Sequence, residues 1–301
     1  VPPGWGSVAV SLGNFDGVHL GHARLAEETA REALTIGGRA VVLAFDPHPA
    51  RVLHPERAPA TLVTTEQKAE LLAGLGIDRL AVLPFTKEVA ALDADAFARD
   101  VLAGCLRAGA VVVGSNFRFG RGRSGDPAVL ARLGAALGFR VRTIDPVLHQ
   151  GQPISSTRVR AALAAGEVEE AERMLGRRFF VDGTVVTGDG RGRTIGFPTA
   201  NVEPVNETLP AAGVYACLLA AGSAPARGAV ANLGERPTFG AGARRLEVHV
   251  LDFSGDLYGA RVRVAFAARL RDEKRFAGPD ELVAQIAQDV ARARQLLGDA
   301  I

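Results

Sequence analysis

The sequence predicts an α/β domain with a doubly wound, mostly parallel sheet, followed by an antiparallel β-barrel domain with a terminal helix. In the first half, short apolar runs rich in Val and Leu alternate with helical patterns. These runs lack clean polar alternation, which is typical of parallel strands buried on both faces. In the second half, short strands follow one another across clusters of Gly, Pro and Asp, which indicates an antiparallel barrel or sandwich.

The elements of the first half follow in order along the chain. Strands are predicted at residues 8–12, 40–45, 80–85, 110–114 and 140–144. Helical patterns begin near residue 22 and cover residues 65–75, 93–107 and 127–137. Because parallel strands are joined by crossover connections, this alternation favours a sheet that helices cover on both sides.

The second half begins with two short predicted helices, at residues 155–165 and 168–175, which Gly166 separates. Strands are then predicted at residues 183–187, 213–220, 228–232, 246–253 and 261–268. A last helix begins near Pro279, a residue that suits a first turn, and its apolar positions recur at helical spacing up to Leu297. We place the domain boundary near Arg177, which gives domains 1–177 and 178–301.

Composition narrows the classes of function. The chain has 301 residues and a formal net charge of +2, from 35 basic and 33 acidic residues. This small net charge gives no indication of nucleic-acid binding, but it is compatible with a small substrate that carries several negative charges. Cys105 and Cys217 make neither a disulfide framework nor a metal site, so we expect a reducing cytoplasm. Oligomeric state stays open.

We expect neither a signal peptide nor a membrane span. The longest apolar stretch, residues 211–226, is short for a span and contains Gly and Pro. Since the chain begins with Val1 rather than Met, we also expect a few residues to be missing at the N-terminus.

The first candidate site follows the first predicted strand, over residues 13–22. A buried strand, a glycine-bearing turn and a helix start form the layout in which α/β folds bind phosphates. His19 and His22 share one face if the helix begins there, and their N–H groups can then stabilise a shifting negative charge. The phosphate-binding residues predicted in this turn are Gly13, Asn14, Phe15, Asp16 and Gly17.

A second segment is expected to complete this site. Ser155, Ser156, Thr157 and Arg158 place hydroxyl groups and a guanidinium at a predicted helix start, and together they form a phosphate clamp. Taken alone, Ser-Ser-Thr is better explained as an ordinary N-cap.

The second candidate site is the glycine-rich stretch at residues 188–202. Backbone N–H groups of a glycine loop can surround phosphate oxygens, and the predicted phosphate-binding glycines are Gly188, Gly190, Gly192 and Gly196. Thr199 and Asn201 follow on an extended stretch, where alternate residues share a face. Two neutral oxygens suit a Mg²⁺ ion that already carries phosphate ligands and waters.

Both motifs, in this order, resemble the bacterial bifunctional riboflavin kinase/FAD synthetases. The first contains the His-x-Gly-His signature of nucleotidylyltransferases, and the second is similar to the riboflavin kinase fingerprint Gly-Arg-x-x-Gly-Phe-Pro-Thr-Ala-Asn. Smaller matches extend the resemblance from about Val8 to about Leu297. Ser115 stands where an acidic residue is expected, and residues 122–124 are unusually basic, which leaves the flavin contacts open.

The resemblance implies roles for four further residues. Glu247 matches the glutamate that acts as the kinase base, whereas without this context it is a solvated strand carboxylate. Asn116 is implied to hold nucleotide or flavin, and Arg271 to contact flavin. His48 matches Phe-Asp-Pro-His-Pro, where a flavin contact and a proline-stiffened turn are equally good explanations.

The resemblance also implies two reactions: riboflavin and ATP give FMN, and FMN and ATP give FAD and pyrophosphate, both with Mg²⁺. The phosphate of FMN is already an anion, so the second reaction needs charge stabilisation and no general base. A ribityl hydroxyl is a poor acid and benefits from a carboxylate such as Glu247. The alternatives are another nucleotidylyltransferase with a ligand-binding barrel, and a nonenzymatic flavin carrier. Glu247 together with Thr199 and Asn201 speaks against both.

Overall fold

A computed structural model gives the fold, and it describes residues 6–188, 192, 195–235 and 244–298. The chain forms two compact units, Val1–Ser155 and Ser156–Ile301. Among the described residues, no helix is long and apolar enough to cross a membrane.

The first unit is built on a five-stranded sheet in the order β3-β2-β1-β4-β5, in which every neighbouring pair is parallel. Its strands are β1 (Val8–Leu12), β2 (Arg39–Asp46), β3 (Arg79–Pro84), β4 (Ala108–Gly114) and β5 (Arg140–Ile144). The strand order reverses between β1 and β4. In open parallel sheets this reversal leaves a crevice at the carboxyl ends of the strands, where ligands bind.

Helices cover this sheet on both sides, and two apolar clusters separate them from it. One cluster packs the β1 residues Val8 and Val10 against Leu102 and Leu130, and the other packs Ala9 against Ala26 and Ala33. The helices are α1 (Leu20–Thr35), α2 (Pro49–Leu53), α3 (Thr65–Ala73), α4 (Lys87–Ala91), α5 (Ala94–Ala96) and α6 (Pro127–Leu137). The predicted doubly wound α/β fold is confirmed.

One predicted helix has a different form. The pattern at 93–107 gives the short α5 and then a π-helix over Phe97–Cys105, whose Leu106 N–H bonds to Val101 O. Phe97, Ala98 and Leu102 are its buried residues. Periodicity of apolar residues marks such a segment as helical, but it does not distinguish i→i+4 from i→i+5 hydrogen bonding.

The second unit contains a closed barrel in the order β10-β11-β12-β9-β8-β13, in which every neighbouring pair of strands is antiparallel. The strands are β8 (Phe180–Val186), β9 (Ala200–Pro204), β10 (Gly213–Ala221), β11 (Arg227–Glu235), β12 (Arg244–Val250) and β13 (Arg261–Arg271). A small hairpin of β6 (Leu148–His149) and β7 (Gln152–Pro153) precedes this unit. The predicted barrel is confirmed, and β9 is a true strand where the sequence indicated only an extended stretch.

Side chains fill the barrel, and the C-terminal helix (Pro279–Leu297) covers part of its outer wall. Tyr215 and Phe266 are fully buried and meet edge to face, with ring centroids 5.3 Å apart. Outside, Val214 and Val230 join Ala293 of the helix in an apolar cluster. A helix packed on one wall in this way forms a covered groove beside the strands it crosses.

Helices α7 (Ser156–Ala165) and α8 (Val168–Leu175) belong to the barrel unit. Arg269 of β13 donates a hydrogen bond to Ala165 O, and the N–H of Ala211 donates one to Leu163 O. These contacts explain why the compact units divide at residue 155. The domain boundary at residue 177 stays a prediction.

Candidate active sites

The first candidate site is a cavity of about 200 Å³ at the carboxyl ends of β1, β4 and β5. Gly13, Asn116 and Asp145 follow these strands and line the cavity. The cavity therefore lies where the strand order reverses, which is the usual position of a ligand in this kind of sheet. Phe15, His19 and His22 also line it.

The turn after β1 is held in shape by buried residues. Phe15 and Val18 adopt positive φ angles of 49° and 41°, which is uncommon for non-glycine residues. The carboxylate of Asp16 is buried and accepts hydrogen bonds from the N–H groups of Leu62, at 2.9 Å, and Val63, at 3.4 Å. These two hydrogen bonds hold the turn in place. A phosphate contact of Asp16 stays a prediction.

His19 is the N-cap of α1. Its Nδ1 accepts a hydrogen bond from the backbone N–H of His22 at 3.3 Å. Since Nδ1 accepts, the neutral ring carries its proton on Nε2. The two imidazole rings stack with centroids 3.7 Å apart. Capping therefore fixes both the tautomer and the orientation of His19.

His22 is held in its neutral form. Burial lowers its pKa well below the usual 6.5, and electrostatic interactions with His19 and Lys68 lower that pKa further. Among the described residues, the buried Nδ1 of His22 has no hydrogen-bond partner. A neutral imidazole with an available ring nitrogen can donate to or accept from a ligand in the cavity.

Lys68 is a feature of this site that the sequence analysis did not identify. It lies in α3, and burial lowers its pKa while Asp16 and Asp46 raise it. A positive charge close to two carboxylates and to His22 adds to the positive potential of this region. The motif pattern gave no signal for Lys68, because its proximity depends on how α3 packs.

The remaining predicted residues of the first unit have clear local roles. The side-chain amide of Asn14 lies 2.9 Å from Nε2 of His48, whose Nδ1 accepts from the N–H of Ala50. The exposed Asn116 and the neighbouring Phe117 line the cavity. Gly17 completes the turn with φ 81°. A phosphate contact for Gly17 and a flavin contact for His48 and Asn116 stay predictions.

The residues of the predicted serine clamp lie at the start of α7. Ile154 lines the cavity, Ser155 follows it, and Ser156, Thr157 and Arg158 form the first turn of α7. Thr157 is exposed, whereas Ser155, Ser156 and Arg158 are half-buried. Their role in binding phosphate stays a prediction.

The second candidate site is a cavity of about 340 Å³ on the barrel wall, beside the C-terminal helix. In the antiparallel register, Glu247 of β12 lies opposite Asn201 of β9 and opposite Asn232 of β11. Side chains directly opposite one another share a face, with Cβ atoms roughly 5 Å apart. All three residues line the cavity, so three strands place one row of polar groups in it.

Two more residues of β12 face the same cavity. Arg245 and His249 lie two positions before and after Glu247 and therefore share its face. Between them, Leu246 and Val248 are fully buried on the opposite face. The ring of His249 is oriented by a hydrogen bond of 2.8 Å between Nδ1 and the carbonyl oxygen of Pro198.

Arg245 connects the two central groups of the site. Its Nε and Nη2 donate to Oδ1 of Asn201 at 2.9 and 2.8 Å, and Nε lies 2.6 Å from Oε1 of Glu247. The side chains of Arg245 and Glu247 are 29% and 27% exposed, so solvent screens this pair only in part. The amide oxygen of Asn201 thus faces a cationic group.

Gly188 and Gly192 pack directly on the predicted metal ligands. A Cβ on Gly188 would lie 1.9 Å from Nδ2 of Asn201, and a Cβ on Gly192 would lie 3.2 Å from Oγ1 of Thr199. Only residues without a side chain allow the loop to approach so closely. Gly196 has φ 84°, and Gly190 lies outside the described residues.

At the other side of the cavity, Arg271 is held by an ion pair. Its Nη2 lies 2.8 Å from Oδ2 of the buried Asp289, and its Nε donates to the same carboxylate. Gln285 donates to Asp289 as well. Both Arg271 and Asp289 line the cavity, so a donor and an acceptor are fixed there. The flavin contact of Arg271 stays a prediction.

A smaller cavity of about 80 Å³ adjoins the larger one, and Thr199 lines both. Phe253 and Tyr258 contribute aromatic groups to the smaller cavity. The hydroxyl-bearing Thr199 is therefore the residue at which a ligand in one cavity would meet a ligand in the other.

The donor set fits Mg²⁺ only as a complex with a nucleotide. Within the described part of the chain, no cluster of three or more His, Cys, Asp or Glu side chains could hold a metal ion. Mg²⁺ bound to phosphates needs only one or two protein oxygens. Thr199 and Asn201 provide two, and Asn201 already turns its oxygen toward a cation.

Two family models match the chain, one for each unit. The model described as FAD synthetase matches residues 2–158, and the model described as riboflavin kinase matches residues 175–297. The bifunctional riboflavin kinase/FMN adenylyltransferase of Escherichia coli K12 is 42% identical over 96% of this chain and 92% of its own length. This chain belongs to that bifunctional family.

Two further proteins agree with this membership. The family member from Pseudomonas fluorescens is 41% identical over 95% of this chain and 92% of its own length. A crystal structure described as a macrolide-efflux protein from Streptococcus pneumoniae superposes with a TM-score of 0.89. It is 32% identical and covers 97% of this chain and 95% of its own. The two-unit fold is thus shared along the whole chain.

The depressed pKa of His22 predicts a pH dependence of stability. As pH falls below about 6.5, an unfolded chain takes up a proton at this histidine, but the folded protein does not. The stabilising contribution is therefore complete above about pH 6.5 and is lost as pH falls toward the folded pKa. The loss is at most about 1.4 kcal/mol per pH unit for one proton.

Thermal unfolding between neutral and mildly acidic pH measures this effect. We expect the His22→Gln variant to lose less stability on acidification than the unsubstituted protein. The exposed His54 provides the matched control, His54→Gln, which should keep the original pH slope. Equal slopes for His22→Gln and the unsubstituted protein would contradict the assignment.

Proposed function

We propose that the two units catalyse successive steps of flavin cofactor synthesis. The barrel unit transfers the γ-phosphate of ATP to the 5′-hydroxyl of riboflavin and gives FMN and ADP. The first unit transfers the adenylyl group of ATP to FMN and gives FAD and pyrophosphate. The observation that carries the proposal is the row of Asn201, Glu247 and Asn232 in the barrel cavity.

In the kinase step, Glu247 is the proposed base. It takes the proton of the ribityl hydroxyl while that oxygen attacks the γ-phosphorus, and ADP leaves. The carboxylate of Glu247 is 27% exposed in a partly apolar cavity, so it can reach a ligand there, and Nε of Arg245 lies 2.6 Å from its Oε1. Asn232 is placed next to Glu247, so that it can orient the carboxylate or the ribityl chain.

The two barrel cavities suggest where the substrates lie. The cavity of about 340 Å³ suits the flavin ring, with Phe276, Ile286 and Val230 among its apolar lining residues. The cavity of about 80 Å³, with Phe253 and Tyr258, suits the nucleoside end of ATP. The phosphates would then pass Thr199, which lines both cavities, and approach Glu247.

Mg²⁺ is the proposed metal of the kinase step, held by the oxygens of Thr199 and Asn201. When bound, it neutralises charge on the transferred phosphate. Gly188 and Gly192 keep the loop close enough to fix these two side chains. From the sequence, backbone N–H groups of the glycine-rich stretch are the proposed partners of the phosphate oxygens.

In the adenylylation step, we assign no general base. The attacking oxygen belongs to a phosphate and is already charged, so catalysis consists of alignment and charge stabilisation. His19 presents its Nε2–H because Nδ1 is used in capping. The N-terminus of α1, neutral His22 and the cationic Lys68 support the same charge. We further propose a reducing cytoplasm as the place of action, since Cys105 and Cys217 are not joined in a disulfide.

Substitution in each site should separate the two activities. Glu247→Gln should lower FMN formation by about two to four orders of magnitude, because the proton acceptor is lost. His19→Asn keeps an N-cap side chain but removes the imidazole, and it should lower FAD formation by roughly a hundredfold or more.

Chromatography of flavin products after incubation with MgATP and either riboflavin or FMN measures both steps. Each variant serves as the folding control for the other. Loss of both activities from one substitution in a folded protein would contradict two separate sites.

Gly188→Ala tests the close approach of the loop to Asn201. The added methyl group would overlap the amide of Asn201, so we expect FMN formation to fall by about tenfold or more. Gly278→Ala is the matched control, since no atom lies within 4 Å of a Cβ at that position. Unchanged initial rates of FMN formation in Gly188→Ala would count against the proposed metal ligand.

A further inference from the structure

The guanidinium of Arg245 lies where the proposed metal site and the proposed base meet. It contacts the amide oxygen of Asn201 through two nitrogens and the carboxylate of Glu247 through one. Asn201 is 7% exposed, so its oxygen has little access to solvent. The three groups form one charge-assisted cluster on the wall of the larger cavity.

We propose that Arg245 competes with the metal ion of the kinase step. Its guanidinium satisfies the proposed ligand oxygen of Asn201 and neutralises Glu247. Metal–nucleotide binding must displace Arg245 from Asn201, and this displacement also releases Glu247 to accept a proton. This inference rests on the proposed roles of Asn201 and Glu247.

The physical argument follows from the donor set. An amide oxygen that accepts two hydrogen bonds from a guanidinium has both lone-pair directions occupied, so it cannot also bind a metal ion. A guanidinium and a divalent cation that bind the same oxygen would also repel each other. Arg245 therefore makes metal binding less favourable, while it prevents a buried amide and a partly buried carboxylate from being left unpaired.

The arrangement has a functional consequence for the base. Glu247 is paired while no metal–nucleotide is bound, and it becomes available only when the phosphate donor is in place. Metal binding and activation of the base are then two results of one side-chain movement. Reciprocal coupling of this kind is measured as a ratio of binding constants.

The test measures ADP binding by calorimetry to the full chain, once in saturating Mn²⁺ and once in EDTA. The ratio of the two dissociation constants reports how strongly the metal promotes nucleotide binding. Arg245→Gln should raise this ratio by roughly five- to tenfold, because the competitor is removed. Arg245→Lys keeps the charge but loses the two-armed contact, and it should give an intermediate ratio.

Two controls accompany these variants. Arg261→Gln removes the same charge from an exposed position on β13 and should leave the ratio unchanged. Any ADP or Mn²⁺ that the first unit binds is common to all the proteins, because every substitution lies in the barrel. Quenching of riboflavin fluorescence on binding checks that the barrel is folded.

The outcomes separate the inference from the function on which it rests. Asn201→Ala should lower the ratio toward unity, and an unchanged ratio there would overturn the metal site and the inference with it. If Asn201→Ala lowers the ratio but Arg245→Gln leaves it unchanged or lowers it, the competition is wrong and the metal site stands. Slower phosphoryl transfer in Arg245→Gln at an unchanged ratio would assign Arg245 to the phosphate instead, and would also overturn the inference.

Discussion

The antiparallel register of β9, β12 and β11 is the constraint on which the barrel site depends. It places Glu247 between Asn201 and Asn232 on one face, and a slip by one residue would move Glu247 to the opposite face. Leu246 and Val248 secure this register, because they are fully buried and cannot exchange places with the polar residues without a large cost. Closure of the barrel adds to this, since each strand is paired on both sides. Chemistry and core packing are therefore specified by the same alternation along β12.

The candidate site of the first unit is formed in a different way from the barrel site. Its site lies at the reversal of strand order, and the start of α1 is capped by the histidine that also lines the cavity. Capping uses Nδ1 of His19, which leaves Nε2 for the proposed role in catalysis. The neutral state of His22 follows from its burial and from electrostatic interactions with His19 and Lys68. In the proposed mechanism, the two units therefore combine an anion-stabilising site without a base and a site that pairs a carboxylate with metal ligands.

Sequence patterns predicted the architecture because each local signal agreed with the global fold. The Val-rich runs, the helix starts and the alternation in β12 are all short-range patterns, and such patterns can be recognised directly in the sequence. The motifs also located both cavities, since Gly13, His19 and Asn116 line one, and Thr199, Asn201 and Glu247 line the other.

Patterns could not predict contacts that depend on packing between distant segments. Three contacts are of this kind. Lys68 lies near His22, Asp16 accepts a hydrogen bond from the N–H of Leu62, and Arg271 forms an ion pair with Asp289. Alternation along β12 predicts that Arg245 shares the face of Glu247. Its contact with Asn201, however, depends on how β9 pairs with β12, which only the structure shows. The π-helix at Phe97–Cys105 was missed because periodicity records helicity rather than hydrogen-bond spacing.

The central claim is that the register of the barrel brings the base and the metal ligands together around one phosphate. A crystal structure of the full chain with Mg²⁺, ADP and FMN tests it most directly. The account predicts the oxygens of Thr199 and Asn201 about 2.1 Å from the ion, and the carboxylate of Glu247 within hydrogen-bonding distance of the 5′-oxygen of FMN. An ion held by other groups, or Glu247 turned away from the flavin chain, would contradict it.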